Sequence, residues 1–127
     1  MFNQKSSNKT INNLAIFKGV FRGLLLLLFI TVLMALFSNF IFAINTGTLN
    51  ILLFLEILII LFIIGLYVAR RVDRNGWLNG GLAGLIFMII LILIGTITMP
   101  ISLTKIILIV SIGLITGSIG GIIGKNL

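Results

Sequence analysis

Only two side chains in this sequence are acidic, Glu56 and Asp73, and they stand 17 residues apart. On one helix that spacing separates them by ~25 Å along the axis, too far for a paired-carboxylate acid–base mechanism. The sequence holds no Cys and no His. Disulfide, thiolate and imidazole chemistry are therefore excluded, together with most transition-metal sites. The residue inventory predicts no enzyme: no catalytic residue, no metal and no cofactor.

Glu56 sits in the run Leu53-Phe54-Leu55-Glu56-Ile57-Leu58-Ile59-Ile60. In a membrane span this carboxyl lies ~10 Å below the nearer boundary. A polar group at that depth costs a few kcal/mol and marks a candidate functional site. It could carry a proton, or bind a cation when ionised. Lys105 could lean toward it or snorkel away. Thr31, Asn39, Asn45 and Asn50 are the neutral candidate partners. The plainer alternative is a hydrogen-bonded carboxyl with no further role.

A second cluster, Arg70, Arg71 and Arg74, precedes Trp77. Arginines beside an apolar run set topology and touch anionic headgroups, and Trp anchors at the interface. Asp73 is expected to pair with one of these arginines. The formal net charge of +7 has the same explanation, since the basic residues flank apolar segments. No nucleic-acid partner is expected.

The elements that position these residues are four apolar stretches, Leu24–Ile44, Leu49–Val68, Trp77–Thr98 and Leu103–Ile123. Each approaches the ~20 residues that cross a ~30 Å hydrocarbon core as a helix. The chain is 60% hydrophobic and 9% charged, which leaves no room for a separate soluble domain. The predicted fold is all-α, an integral membrane four-helix bundle over residues 14–127. Residues 1–13 are polar and read as a disordered tail. The first apolar run is longer than a signal peptide's core and lacks a small-x-small cleavage site, so it reads as a retained helix. Ile11–Arg22 reads either as an interfacial amphipathic turn or as an extension of helix one.

Lys5, Lys9, Lys18, Arg22, Arg70, Arg71, Arg74 and Lys125 fall on one side of a four-span topology, and only Lys105 on the other. Both termini are expected in the cytoplasm, with the protein multi-pass in the plasma membrane. Asn45–Thr48 and Met99–Ser102 are the outer turns, the second fixed by Pro100. Connections this short make sequential helices antiparallel neighbours.

Twelve of the fourteen glycines belong to the inner half of that topology, and only Gly47 and Gly95 to the outer. Gly113, Gly117, Gly120 and Gly124 follow i, i+4, i+7, i+11, a ~60° stripe on helix four. Gly76, Gly80 and Gly84 mark helix three. Small residues so spaced let backbones approach closely in lipid. Helices three and four are expected to cross closely near the inner face, with a bulkier outer half. The stripe alternatively serves a homo-oligomer seam or a ligand. The two halves echo each other weakly, Lys18-Gly-Val-Phe-Arg-Gly23 against Asn75-Gly-Trp-Leu-Asn-Gly80, which suggests a parallel repeat of two helical hairpins.

Phe17-Lys18-Gly19, Ala69-Arg70-Arg71 followed by Gly76-Trp77-Leu78-Asn79-Gly80, and the ending Gly117-Ser-Ile-Gly-Gly-Ile-Ile-Gly-Lys-Asn126 resemble the YrzE-like family of small four-helix membrane proteins from Gram-positive bacteria. The resemblance runs from Phe17 to Asn126. It implies a fold and a membrane location and no chemistry. The function expected first is an accessory or structural component acting through helix–helix contacts, with the lipid bilayer and a second copy or another membrane protein as partners. The alternatives are a small proton- or cation-coupled transporter using Glu56, and a membrane-permeabilising protein.

Overall fold

The computed structural model describes residues 10–41 and 45–127, with side chains given for all of these except 39–41. Four helices follow one another: α1 (Asn13–Ile41), α2 (Thr46–Ala69), α3 (Gly76–Thr98) and α4 (Leu103–Asn126). All four are long and apolar enough to cross a membrane. They make the chain a multi-pass integral membrane protein. At 29 residues, α1 is ~43 Å long and outreaches the ~30 Å core.

Local chemistry fixes the ends. Asn12 caps α1: its Oδ1 accepts from Ala15 N–H at 3.1 Å, satisfying one otherwise orphaned donor, and its carbonyl accepts the first helical bond from Ile16 N–H at 3.1 Å. Helix one thus begins well before Leu24, and Ile11–Arg22 is largely its extension rather than a separate turn. Residues 1–9 lie outside the described residues, while Thr10–Asn12 are tied to α3, as shown below. Asn45 caps α2, its Oδ1 accepting from Gly47 N–H at 3.4 Å. The turn expected at Asn45–Thr48 is therefore mostly helix. Asn75, before α3, adopts φ 54°, ψ 49°, a left-handed conformation that Asn tolerates. Met99 is extended at φ −145°, ψ 137°, as the residue before Pro100 must be.

The helices form a rhombus. Helices α2 and α3 touch along the short diagonal, α4 packs on both from one side and α1 on both from the other, and α1 and α4 do not meet among the described residues. Sequential helices are neighbours, as the short connections require. The contacts do not follow the expected repeat of hairpins. A twofold relating the hairpins would convert the α1–α4 pair into α2–α3, and only the latter touch. The physical reason is local: the glycines of α4 meet backbone of α2 and α3, whereas Gly19 and Gly23 of α1 meet side chains of α2, Val68 and Ile64.

Thr10–Asn12, the α2–α3 loop and the end of α4 share one end, the terminal face, where Lys125 Nζ donates to the Val72 carbonyl at 2.7 Å. The buried core sits toward this end. It comprises Ile60, Leu61, Ile64 and Val68 of α2, Ala83 and Phe87 of α3, and Ala15, Ile16 and Val20 of α1. At the opposite, far end no residue of Leu24–Ser38, Thr46–Leu55 or Leu103–Ile112 is buried. Packing is dense at the terminal face and loose beyond mid-span.

Candidate functional site

Glu56 lies ten residues into α2, ~15 Å along the helix from its start. Its side chain turns toward α1 and is 7% exposed. Thr31 of α1 donates through Oγ1 to Glu56 Oε1 at 2.9 Å. The same hydroxyl contacts the Leu27 carbonyl at 2.7 Å, so one proton faces two acceptors. Glu56 Oε2 is buried with no hydrogen-bond partner among the described residues. Such an orphan costs ~1–3 kcal/mol and calls for an explanation. Of the expected partners, Thr31 is the one used. Asn45 is occupied at its helix cap, Asn50 is exposed, and the Asn39 side chain lies outside the described residues. Lys105 does not join the site. It is exposed in the first turn of α4, while Glu56 faces α1, on the other flank of the rhombus.

Asn79 is the second buried polar side chain, with no exposed surface. It completes the edge of the N-terminal segment. Its Oδ1 accepts from Asn12 N–H at 2.8 Å, and its Nδ2 donates to the Thr10 carbonyl at 3.0 Å and to the Asn75 carbonyl at 3.0 Å. Three of the four bonds the amide can form are thus made. The sequence offered little to single it out: a lone Asn near a helix start reads as an interface residue.

The glycines of α4 divide between two neighbours. Cβ atoms at Gly113 and Gly117 would crowd the Gly84 and Gly80 carbonyl oxygens at 2.8 and 2.5 Å, and one at Gly121 would collide with the Gly76 carbonyl, all on α3. A Cβ at Gly124 would lie 2.5 Å from the Leu66 carbonyl oxygen on α2, and one at Gly120 would collide with the Phe62 carbonyl. From the other side, a Cβ at Gly80 would approach Gly117 O to 2.6 Å, one at Gly76 Gly121 O to 2.9 Å, and one at Gly84 would strike Gly113 O. Backbone meets backbone along this seam. Three glycines outside the expected packing set belong to it: Gly121 of α4, Gly65 of α2 against Gly117 and Gly121, and Gly81 of α3 against Ser118. The signal for Gly121 was its i+4 relation to Gly117. Because the seam is filled within one chain, it is not free to join a second copy.

At the terminal face Arg70, Arg71, Arg74 and Trp77 are all exposed. Asp73 is exposed too, and among the described residues no salt bridge within 4.0 Å joins it to any of them. Arg71 instead lies over the Tyr67 ring at 4.7 Å, and Arg22 of α1 lies over the same ring at 4.5 Å. No group of three or more His, Cys, Asp or Glu gathers among the described residues.

A family model described as protein of unknown function (DUF3792) matches residues 12–124. No curated protein and no solved structure matches the chain.

Proposed function

The chain belongs to the DUF3792 family of proteins of unknown function, and from that premise we propose that it is an accessory component that binds another membrane protein through its helices. We place it with YrzE-like proteins of Gram-positive bacteria, in the plasma membrane with both termini cytoplasmic, the side favoured by eight of the nine basic residues. It acts without catalysis.

The observation that carries this reading is the position of α1. Toward the far face a largely apolar cleft between α1 and α2 is lined by Ile30, Leu33, Met34, Phe37, Leu49 and Leu52, with Ser38 at its edge. Among the described residues helix α4 does not reach α1 to close that side. A transmembrane helix of a partner would gain packing contacts there that lipid tails supply less well. The tight glycine seam makes the rest of the molecule a rigid support for that surface.

A photo-crosslinking residue placed at Leu33 or Phe37 in living cells should give a discrete protein adduct, and one at Leu108 on α4 should give none. If every position yields lipid adducts alone, the accessory reading fails.

One observation favours a second reading, a proton-coupled carrier: the orphaned Glu56 Oε2. Thr31 has a single proton to share between Leu27 O and Glu56 Oε1, and a proton on the carboxyl would close the second contact. Under this reading Glu56→Gln abolishes proton-linked flux in proteoliposomes. Unchanged flux removes Glu56 from any coupling role.

A further inference from the structure

The structure points to a phosphate site at Arg22, Tyr67 and Arg71, and we propose that its ligand is the headgroup phosphate of an anionic glycerophospholipid. Arg22 comes from α1, Arg71 from the α2–α3 loop, and Tyr67 from the last turns of α2. The Tyr67 ring lies beside α1 at Gly19, within ordinary contact of it: a Cβ there would lie 3.6 Å from Tyr67 Cδ1. Both guanidinium carbons lie over this one ring, at 4.5 and 4.7 Å from its centroid.

The two cationic groups are consequently held within about 9 Å of each other, a separation at which like charges repel unless screened or neutralised. Among the described residues neither has an acidic partner within 4.0 Å. Both arginines are exposed while Tyr67 is half-buried, so the ring fixes the guanidiniums and leaves donor edges free. Arginine forks suit phosphate oxygens bidentately. Attraction to the ring accounts for the placement of each arginine singly. An anion held at the free edges of both would offset the residual repulsion between them.

The surroundings select a lipid over a soluble phosphate. Along α1, Leu26 and Phe29 follow Arg22 at i+4 and i+7. Along α2, Ile63 and Ile59 precede Tyr67 at i−4 and i−8. All four are exposed. They continue the faces that carry the arginine and the tyrosine down into the apolar zone. A bound headgroup would therefore have its acyl chains lying on apolar side chains of both helices. Arg74, exposed in the loop and stacked on no ring, lies outside the site.

The test is native mass spectrometry of the full chain released from micelles doped with equal amounts of phosphatidylglycerol and phosphatidylcholine. The wild type should retain one phosphatidylglycerol, favoured by about tenfold or more over phosphatidylcholine. The double variant Arg22→Gln, Arg71→Gln should lose that preference, and Arg74→Gln should keep it. Tyr67→Leu, with both arginines present, should lose most of the preference, whereas Tyr67→Phe should retain it. The Tyr67 pair decides the matter even if the double variant fails to fold. Equal retention of both lipids by the wild type, or equal loss in Arg74→Gln, would mean diffuse surface charge and would overturn the site. Displacement of the lipid by excess inorganic phosphate would assign the site to soluble phosphate and overturn the lipid ligand.

Discussion

At the scale of the residue, the two buried polar side chains differ in kind. Asn79 is nearly saturated, bonded to Thr10, Asn12 and its own helix. Glu56 keeps one oxygen with no partner among the described residues. The first is what a structural residue looks like, and the second is what structure alone leaves unexplained. Asn79→Ala strands the Asn12 N–H and the Thr10 carbonyl, at a cost of ~1–3 kcal/mol. Denaturation in mild detergent should show that loss. Limited proteolysis should show faster cleavage just before α1. If neither changes, the two bonds do not hold the segment. Glu56 was legible in the sequence because a charge inside an apolar run stands out. Asn79 was not, because its partners are backbone groups of a distant segment, and backbone leaves no mark in sequence.

At the scale of the element, hydropathy located the spans and Gly spacing located the close face of α4, since both are local properties of a helix. How that face divides was not legible. Periodicity says which residues share a side and not which neighbour each one meets, so the assignment of Gly113 and Gly117 to α3 and of Gly120 and Gly124 to α2 came only with the fold. The start of α1 admits two readings in the sequence, and the Asn12 cap decides between them. Two opposed magnitudes set the effect of filling the seam. Ala exceeds Gly in helix propensity by ~1 kcal/mol, while overpacking costs ~1–3 kcal/mol. For Gly117→Ala the new Cβ lies 2.5 Å from a backbone oxygen, which cannot rotate aside. The clash should win, and thermal unfolding should occur at lower temperature. Among the described residues Gly47→Ala meets nothing within 4 Å, so it should be neutral or slightly stabilising. Equal effects at both positions would show that the seam is not tight.

At the scale of the whole molecule, the charge asymmetry of the sequence and the direction of the helices agree on one arrangement. Residues 10–12, the α2–α3 loop and Lys125 occupy one end. Because the chain has no Cys, single cysteines report topology without background. An impermeant thiol reagent applied to intact cells should label Ser102→Cys and spare Asn75→Cys. The reverse pattern would invert the protein in the membrane. What the sequence could not convey was the rhombus. Loop length constrains sequential helices only, and the absence of an α1–α4 contact is a consequence of which helix α4 nests against.

The hold of Asn79 on the N-terminal segment also has a meaning in time. The bond from Asn12 to Asn79 spans 67 residues of sequence. At ~5–20 residues per second of synthesis, the segment exists for roughly 3–13 s before its partner has even been made. During that interval Thr10–Asn12 must wait unpaired at the membrane surface while α1 and α2 are inserted. Thr10–Asn12 are thus locked well after they are made. A ribosome stalled before Asn79 should leave them open to protease, and release of the complete chain should close them.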